Sequence, residues 1–156
     1  MGGLLATLIS VNFEVKKLSL VAPAFFTINK SIALTPALKF FIKKLDNNFS
    51  INEEELTEAE IEYHNNYSYN YYPKTLAELY KLIKKGRKAV EKINSPTQVI
   101  LSSNDEQVAT EEIKKFLNKK MGQSLVDQKI YKKSSHVITN GVEKEKCAED
   151  IINFLK

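Results

Sequence analysis

Hydrophobic positions along the chain follow two rhythms. Gly2 to Asn12 is apolar, with no β-branched cluster until its end, which predicts a helix. Leu18-Ser19-Leu20-Val21-Ala22, closed by Pro23, reads as a short buried strand. Further on, Leu76, Leu79, Ile83 and Val90 share one helical face, while Lys81, Lys84, Lys85, Arg87 and Lys88 lie mostly on the others. Thr75 and Glu78 have capping-box spacing and predict where that helix opens. Pro96 breaks the chain, and Thr97 to Ser102 forms the next strand. Val108 to Met121 is helical with Ile113, Phe116 and Leu117 inward, and Gly122 stands in a stop position. Val126 to Tyr131 alternates as a strand does. Glu143 to Lys156 is a final helix with Cys147, Ile151, Phe154 and Leu155 along one side.

The second half therefore runs strand, helix, strand, helix, the pattern of a parallel sheet covered on both faces. The fold class is α/β, with strands at about 17–22, 97–102 and 126–132. Residues 25–73 break the rhythm: they are rich in Asn, Lys and Tyr, with short helical stretches and capping-box spacing at Asn52/Glu55 and Thr57/Glu60.

Composition narrows the function classes. The chain has 156 residues, 43% hydrophobic and 27% charged, a globular composition suited to one domain. The net charge of +4 is spread over scattered lysines, so no nucleic-acid partner is expected. A single cysteine, Cys147, excludes an internal disulfide and any multi-cysteine metal site, and fits a small core residue in a reducing compartment. No apolar run reaches the length of a membrane span, so no stable membrane insertion is expected. The start lacks a signal peptide's positive residue and cleavage site, and Ala6 spoils a myristoylation motif, so the location expected is cytoplasmic.

Two segments carry candidate chemistry. A parallel sheet binds its ligand at the carboxyl ends of its strands, which here are followed by Asn104-Asp105-Glu106 and Ser134-Ser135-His136. Asp105 and His136 are 136 − 105 = 31 residues apart, one helix plus one strand, which puts both at one edge of the sheet. Alone, Asp105 is a turn or cap residue and His136 a solvated loop residue. Together, in this order and in phase with the strands, they fit the acid and base expected to activate a serine for acyl transfer. The aromatic segment Tyr63 to Tyr72, with His64, and the basic face Lys81 to Lys92 read as solvated surface.

The residues resemble a known family. Met1-Gly2-Gly3-Leu4, an apolar helix and then Lys17-Leu18-Ser19-Leu20-Val21-Ala22-Pro23 are similar to the segment following the nucleophile elbow of α/β-hydrolases of the carboxylesterase and monoacylglycerol lipase type. Asn104-Asp105-Glu106-Gln107-Val108 looks like that family's acid loop, and Ser134-Ser135-His136-Val137 looks like its histidine loop. The resemblance implies a partial α/β-hydrolase fold with a core helix and strand over 1–24, an inserted helical cap over 25–75, and a C-terminal core over 76–156. It implies a serine-type esterase acting on a small ester substrate, short- to medium-chain or a monoacylglycerol, without a cofactor or metal. His136 would be base and then acid, Asp105 its orienter, and the backbone N–H of Met1 an oxyanion donor.

In that likeness the serine falls one position before Met1. No internal serine stands in a Gly-x-Ser-x-Gly context; Ser10, Ser102, Ser103, Ser134 and Ser135 are poor substitutes. The expectation is a truncated, split or partial frame lacking roughly a hundred residues, at about 30 per βαβ unit, inactive alone and completed by an N-terminal fragment. Peptidase, thioesterase and haloperoxidase-like specificities stay open, as does a non-catalytic remnant or binding protein.

Overall fold

The computed structural model describes residues 1–46, 58, 61–62 and 70–156. The strands β1 (Leu18–Val21), β4 (Thr97–Ser102) and β5 (Leu125–Tyr131) form a parallel sheet in the order β1-β4-β5. The two-residue strands β2 (Leu45–Asp46) and β3 (Asn70–Tyr71) pair antiparallel, apart from it. Register runs from Leu18 opposite Thr97 to Val21 opposite Ile100, and on the other side ends with Ser102 opposite Tyr131. β4 lies in the middle with every residue buried, which is why its sequence is a continuous run and not an alternation.

Alternation along the strands sorts side chains onto two faces. Leu18, Leu20, Val99 and Leu101 join Leu4, Phe25, Ile83, Ile113 and Leu117 in the larger core cluster. These come from α1 (Gly2–Asn12), the segment after β1, α3 (Pro73–Ala89) and α4 (Thr110–Lys120). Ile100 and Tyr131 point the other way, against Cys147 of α5 (Lys144–Leu155) and Ile138. A short α2 (Thr35–Leu38) follows a 3-10 turn over Lys30–Leu34. The α5 face also carries a polar seam. Gln98, buried in β4, accepts from the Ser19 hydroxyl and donates to Asp127 and the Asp150 carbonyl, while Asp150 takes the Tyr131 hydroxyl and the Lys129 ammonium. A buried amide is tolerable only when so satisfied.

Several expected boundaries move. α3 opens at Pro73 with no side-chain cap, two residues before Thr75. Proline at the first turn loses no hydrogen bond and has its φ preset, and Glu78, the other half of the expected box, pairs with Lys81 instead. Ala77 and Gly86 join the inward face of α3. A Cβ on Gly86 would lie 2.9 Å from Leu4 Cδ2, so glycine lets α1 and α3 approach closely. α4 starts at Thr110, because Val108 is held in an isolated bridge to Thr27. Leu155, expected inward, is exposed. Both capping boxes at 52–60, and the aromatic segment as far as residue 69 with His64, lie outside the described residues.

Among the described residues no helix is long and apolar enough to cross a membrane. Yet α1 carries an apolar stripe on its outer face: Met1, Leu5, Ile9 and Phe13, spaced by four, are 68%, 46%, 53% and 69% exposed. It runs beside β1, which is an edge of the sheet. Contiguous exposed apolar surface next to unpaired strand edge promotes association. Residues 1–156 alone are therefore expected to bind hydrophobic dye and to self-associate in sedimentation velocity. Ile9→Lys should reduce both while changing stability by no more than about 0.5 kcal/mol, as an exposed site allows; unchanged dye binding would show that the stripe is not its cause.

Candidate active site

Parallel strands end on the same side, so the loops leaving β4 at Ser102 and β5 at Tyr131 open on one edge of the sheet. There His136 Nδ1 lies 2.8 Å from Asp105 Oδ2, within the hydrogen-bonding reach expected of an acid–base pair. The Asp105 side chain is fully buried and that of His136 is 18% exposed. In the tautomer that donates Nδ1–H to this carboxylate, Nε2 is the ring's other nitrogen, an acceptor.

Asp105 does two jobs. Its Oδ1 accepts the backbone N–H groups of Gln107 and Val108, both at 2.8 Å. This is the turn role an aspartate after a strand ordinarily plays; the second oxygen remains for the imidazole.

Serines knit the two loops together. The Ser102 hydroxyl donates to the Ser134 carbonyl and accepts the Asn104 N–H at 3.1 Å. The Ser103 N–H donates to the Tyr131 carbonyl at 2.8 Å. The Ser134 hydroxyl donates to Glu143, and that of Ser10 to the Thr7 carbonyl within α1. The hydroxyls of Ser102, Ser103 and Ser10 thus donate to backbone carbonyls, and that of Ser134 to a carboxylate.

Met1 sits at the N-terminus of α1, on the same edge as the pair. A Cβ on Gly3 would lie 3.0 Å from Pro23, just past the carboxyl end of β1. Between them Ala22 turns the chain with φ +41°, in the left-handed region a side chain disfavours, while its N–H still reaches the Ile100 carbonyl. Met1 itself is exposed, and its carbonyl accepts the N–H groups of Leu4 and Leu5.

Two carboxylates here escape sequence reasoning. Glu106 Oε2 accepts the His136 backbone N–H at 3.1 Å. Glu143 Oε2 accepts the N–H groups of Lys133 and Ser134 and the Ser134 hydroxyl, each at 3.0 Å. Burial raises the Glu143 pKa, but these donors outweigh it and hold the group below its ordinary value. Glu143 thus stays ionised to lower pH in the folded chain than in the unfolded one. Its contribution to stability is complete above the ordinary value of 4.5 and is lost as pH falls through the lowered one. Glu143→Gln should therefore flatten the acid limb of a urea stability–pH profile below that value; an unchanged limb would contradict the assignment.

Cys147 is fully buried, and burial with nearby Asp150 raises its thiol pKa, the state of an inert core thiol. No group of three or more His, Cys, Asp or Glu able to hold a metal occurs among the described residues.

No protein-family profile and no curated protein sequence matches the chain. Solved structures do. The match to a structure of the metagenome-derived lipolytic enzymes LipS and LipT has a TM-score of 0.75 at 17% identity, covering 99% of this chain and 61% of that one. The monoacylglycerol lipase of Paleococcus ferrophilus gives 0.70 at 15% identity, covering 98% of this chain and 64% of the lipase. A thermostable carboxyl esterase from Bacillus coagulans gives 0.62 at 15%, covering 98% of this chain and 61% of the esterase. The likeness shows an α/β-hydrolase fold over nearly the whole chain, and the chain spans less than two thirds of each of these proteins.

Proposed function

Given an α/β-hydrolase fold with a carboxylate–imidazole pair at the carboxyl edge of its sheet, we propose that the chain supplies the acid–base half of a serine-type carboxylic ester hydrolase. The carrying observation is the 2.8 Å contact between Asp105 and His136, which leaves Nε2 free to act. The substrate class is a short- to medium-chain ester or a monoacylglycerol, in keeping with the lipases and esterases of similar fold.

In this reading His136 Nε2 takes the proton of a serine hydroxyl as its oxygen bonds to the ester carbonyl carbon. Asp105 holds the ring and stabilises the imidazolium. The same proton goes to the alcohol oxygen as the ester C–O bond breaks; a water activated by His136 then releases the acid and the serine. The backbone N–H of Met1, at the start of α1, would be a donor to the oxyanion. The serine comes from a polypeptide segment that packs on the β1 edge and the α1 stripe. Their openness, and the lack of any Gly-x-Ser-x-Gly in the chain, support this.

The test is complementation. Residues 1–156 alone should hydrolyse p-nitrophenyl butyrate no faster than a His136→Ala control. Co-expression with the N-terminal part of an esterase of this fold, ending in Gly-x-Ser, should restore turnover with an acyl-enzyme burst. Strong His136-dependent turnover by 1–156 alone would reveal an internal nucleophile. A folded complex with no turnover would favour a non-catalytic binding protein.

A further inference from the structure

We infer that Glu106 and Glu143 are positioning residues that hold the His136 backbone in place while Asp105 holds its ring, a role resting on the ester-hydrolase reading above. The loop from β5 to His136 includes Lys132 and Lys133, both exposed, and His136 stands only five positions after Tyr131 (136 − 131 = 5). Left to water, such a loop samples many arrangements. Here it is fastened from three elements. Glu143, just ahead of α5, gathers three donors from Lys133 and Ser134 on one oxygen. Ser102, at the end of β4, donates to the carbonyl of the fully buried Ser134. Glu106, in the acid loop, accepts the N–H of His136.

The pairing of Asp105 with Glu106 has a geometric effect that neither produces alone. Adjacent residues on one loop grip one histidine at two places, the ring Nδ1 and the backbone N–H. Fixing both ends restricts the torsions between them, and so the direction in which Nε2 points. Misplacing a reacting group by about 1 Å can cost on the order of a hundredfold in rate. The hydrophobic clusters that hold sheet and helices together include neither glutamate. Removing either acid should loosen the loop and leave the core.

The experiment uses residues 1–156 with Glu106→Ala, Glu106→Gln, Glu143→Ala and Glu143→Gln. Amide hydrogen exchange is read on the segment 132–137, with the strands 97–102 and 125–131 as internal controls. Carbethoxylation of His136 by diethyl pyrocarbonate is mapped by mass spectrometry, with His64 as reference. Each alanine variant should speed exchange in 132–137 about tenfold or more. It should also change the His136 rate several-fold relative to His64, with both strands unaltered. The glutamine variants keep an acceptor oxygen and should stay near wild type. The proposal is overturned if the alanine variants leave loop and imidazole unchanged, if the strands loosen equally, or if glutamine behaves like alanine. No ester or serine is involved, so a failed complementation would end the hydrolase reading without altering this result. Where complementation succeeds, the alanine variants should lower kcat about ten- to a hundredfold at unchanged KM.

Discussion

In the complemented enzyme, Asp105→Asn is expected to lower kcat by about ten-thousandfold, the scale seen when a triad aspartate becomes an amide. The reason lies in the two oxygens of Asp105. If the asparagine oxygen stays on the N–H groups of Gln107 and Val108, its NH2 faces His136 Nδ1 and donates to it. The ring then carries its proton on Nε2 and cannot accept one from serine. If the amide turns the other way, it presents donors to two backbone donors and the acid loop opens. The first arrangement removes the base and the second its placement, while the side chain keeps its size and the fold should survive. Steady-state kinetics on p-nitrophenyl butyrate, with circular dichroism as a control, make the comparison. A loss of less than tenfold with the fold intact would mean that the 2.8 Å contact is not catalytic.

The largest effect on stability should come from Phe25→Ala, at about 3–5 kcal/mol by analogy with other buried aromatic truncations. Phe25 is fully buried where the chain leaves the sheet. Its ring packs beside Phe116 of α4, with centroids 5.9 Å apart, and lies close to Gly86 of α3. Its carbonyl accepts from Arg87 Nε, whose guanidinium stacks 3.8 Å from the Phe26 ring. A cavity there would touch elements from three separated parts of the chain, which leaves little chance of local collapse. Urea denaturation, repeated at several protein concentrations to separate any self-association, gives the difference. A cost under about 1 kcal/mol would mean that the site repacks.

How much of this was legible from the residues follows from the range of the forces involved. β4 and the order strand-helix-strand-helix were plain, because β4 is buried on both faces and its run of apolar residues has no competing period. The Asp105–His136 pair was legible because strand phase alone carries both to one edge. Boundaries set by tertiary contacts were not. Val108 scans as the first turn of a helix, yet its bridge to Thr27 holds it extended. Thr75 and Glu78 match a capping box, but the proline at 73 starts the helix earlier. The inward turn of Gly86 depends on α1, more than seventy residues away (86 − 4 = 82). Glu106 and Glu143 were invisible for a related reason. Each acts on a backbone N–H of another loop, and an N–H is offered by every residue but proline, so the sequence carries no mark of which one is used.

The register of the sheet sets a timetable for the growing chain. Leu18 pairs opposite Thr97, 97 − 18 = 79 residues later. At about 5–20 residues per second of synthesis, β1 waits roughly 4–16 s before its partner has even been made. Meanwhile α1, apolar on nearly every side, waits for α3, the helix it packs against. Non-local parallel pairing of this kind is slow, and its precursors are sticky. The nascent segment from α1 to Pro23 is thus a stretch a chaperone would hold during the wait, and the yield of folded protein should depend on how fast translation runs between residues 24 and 97.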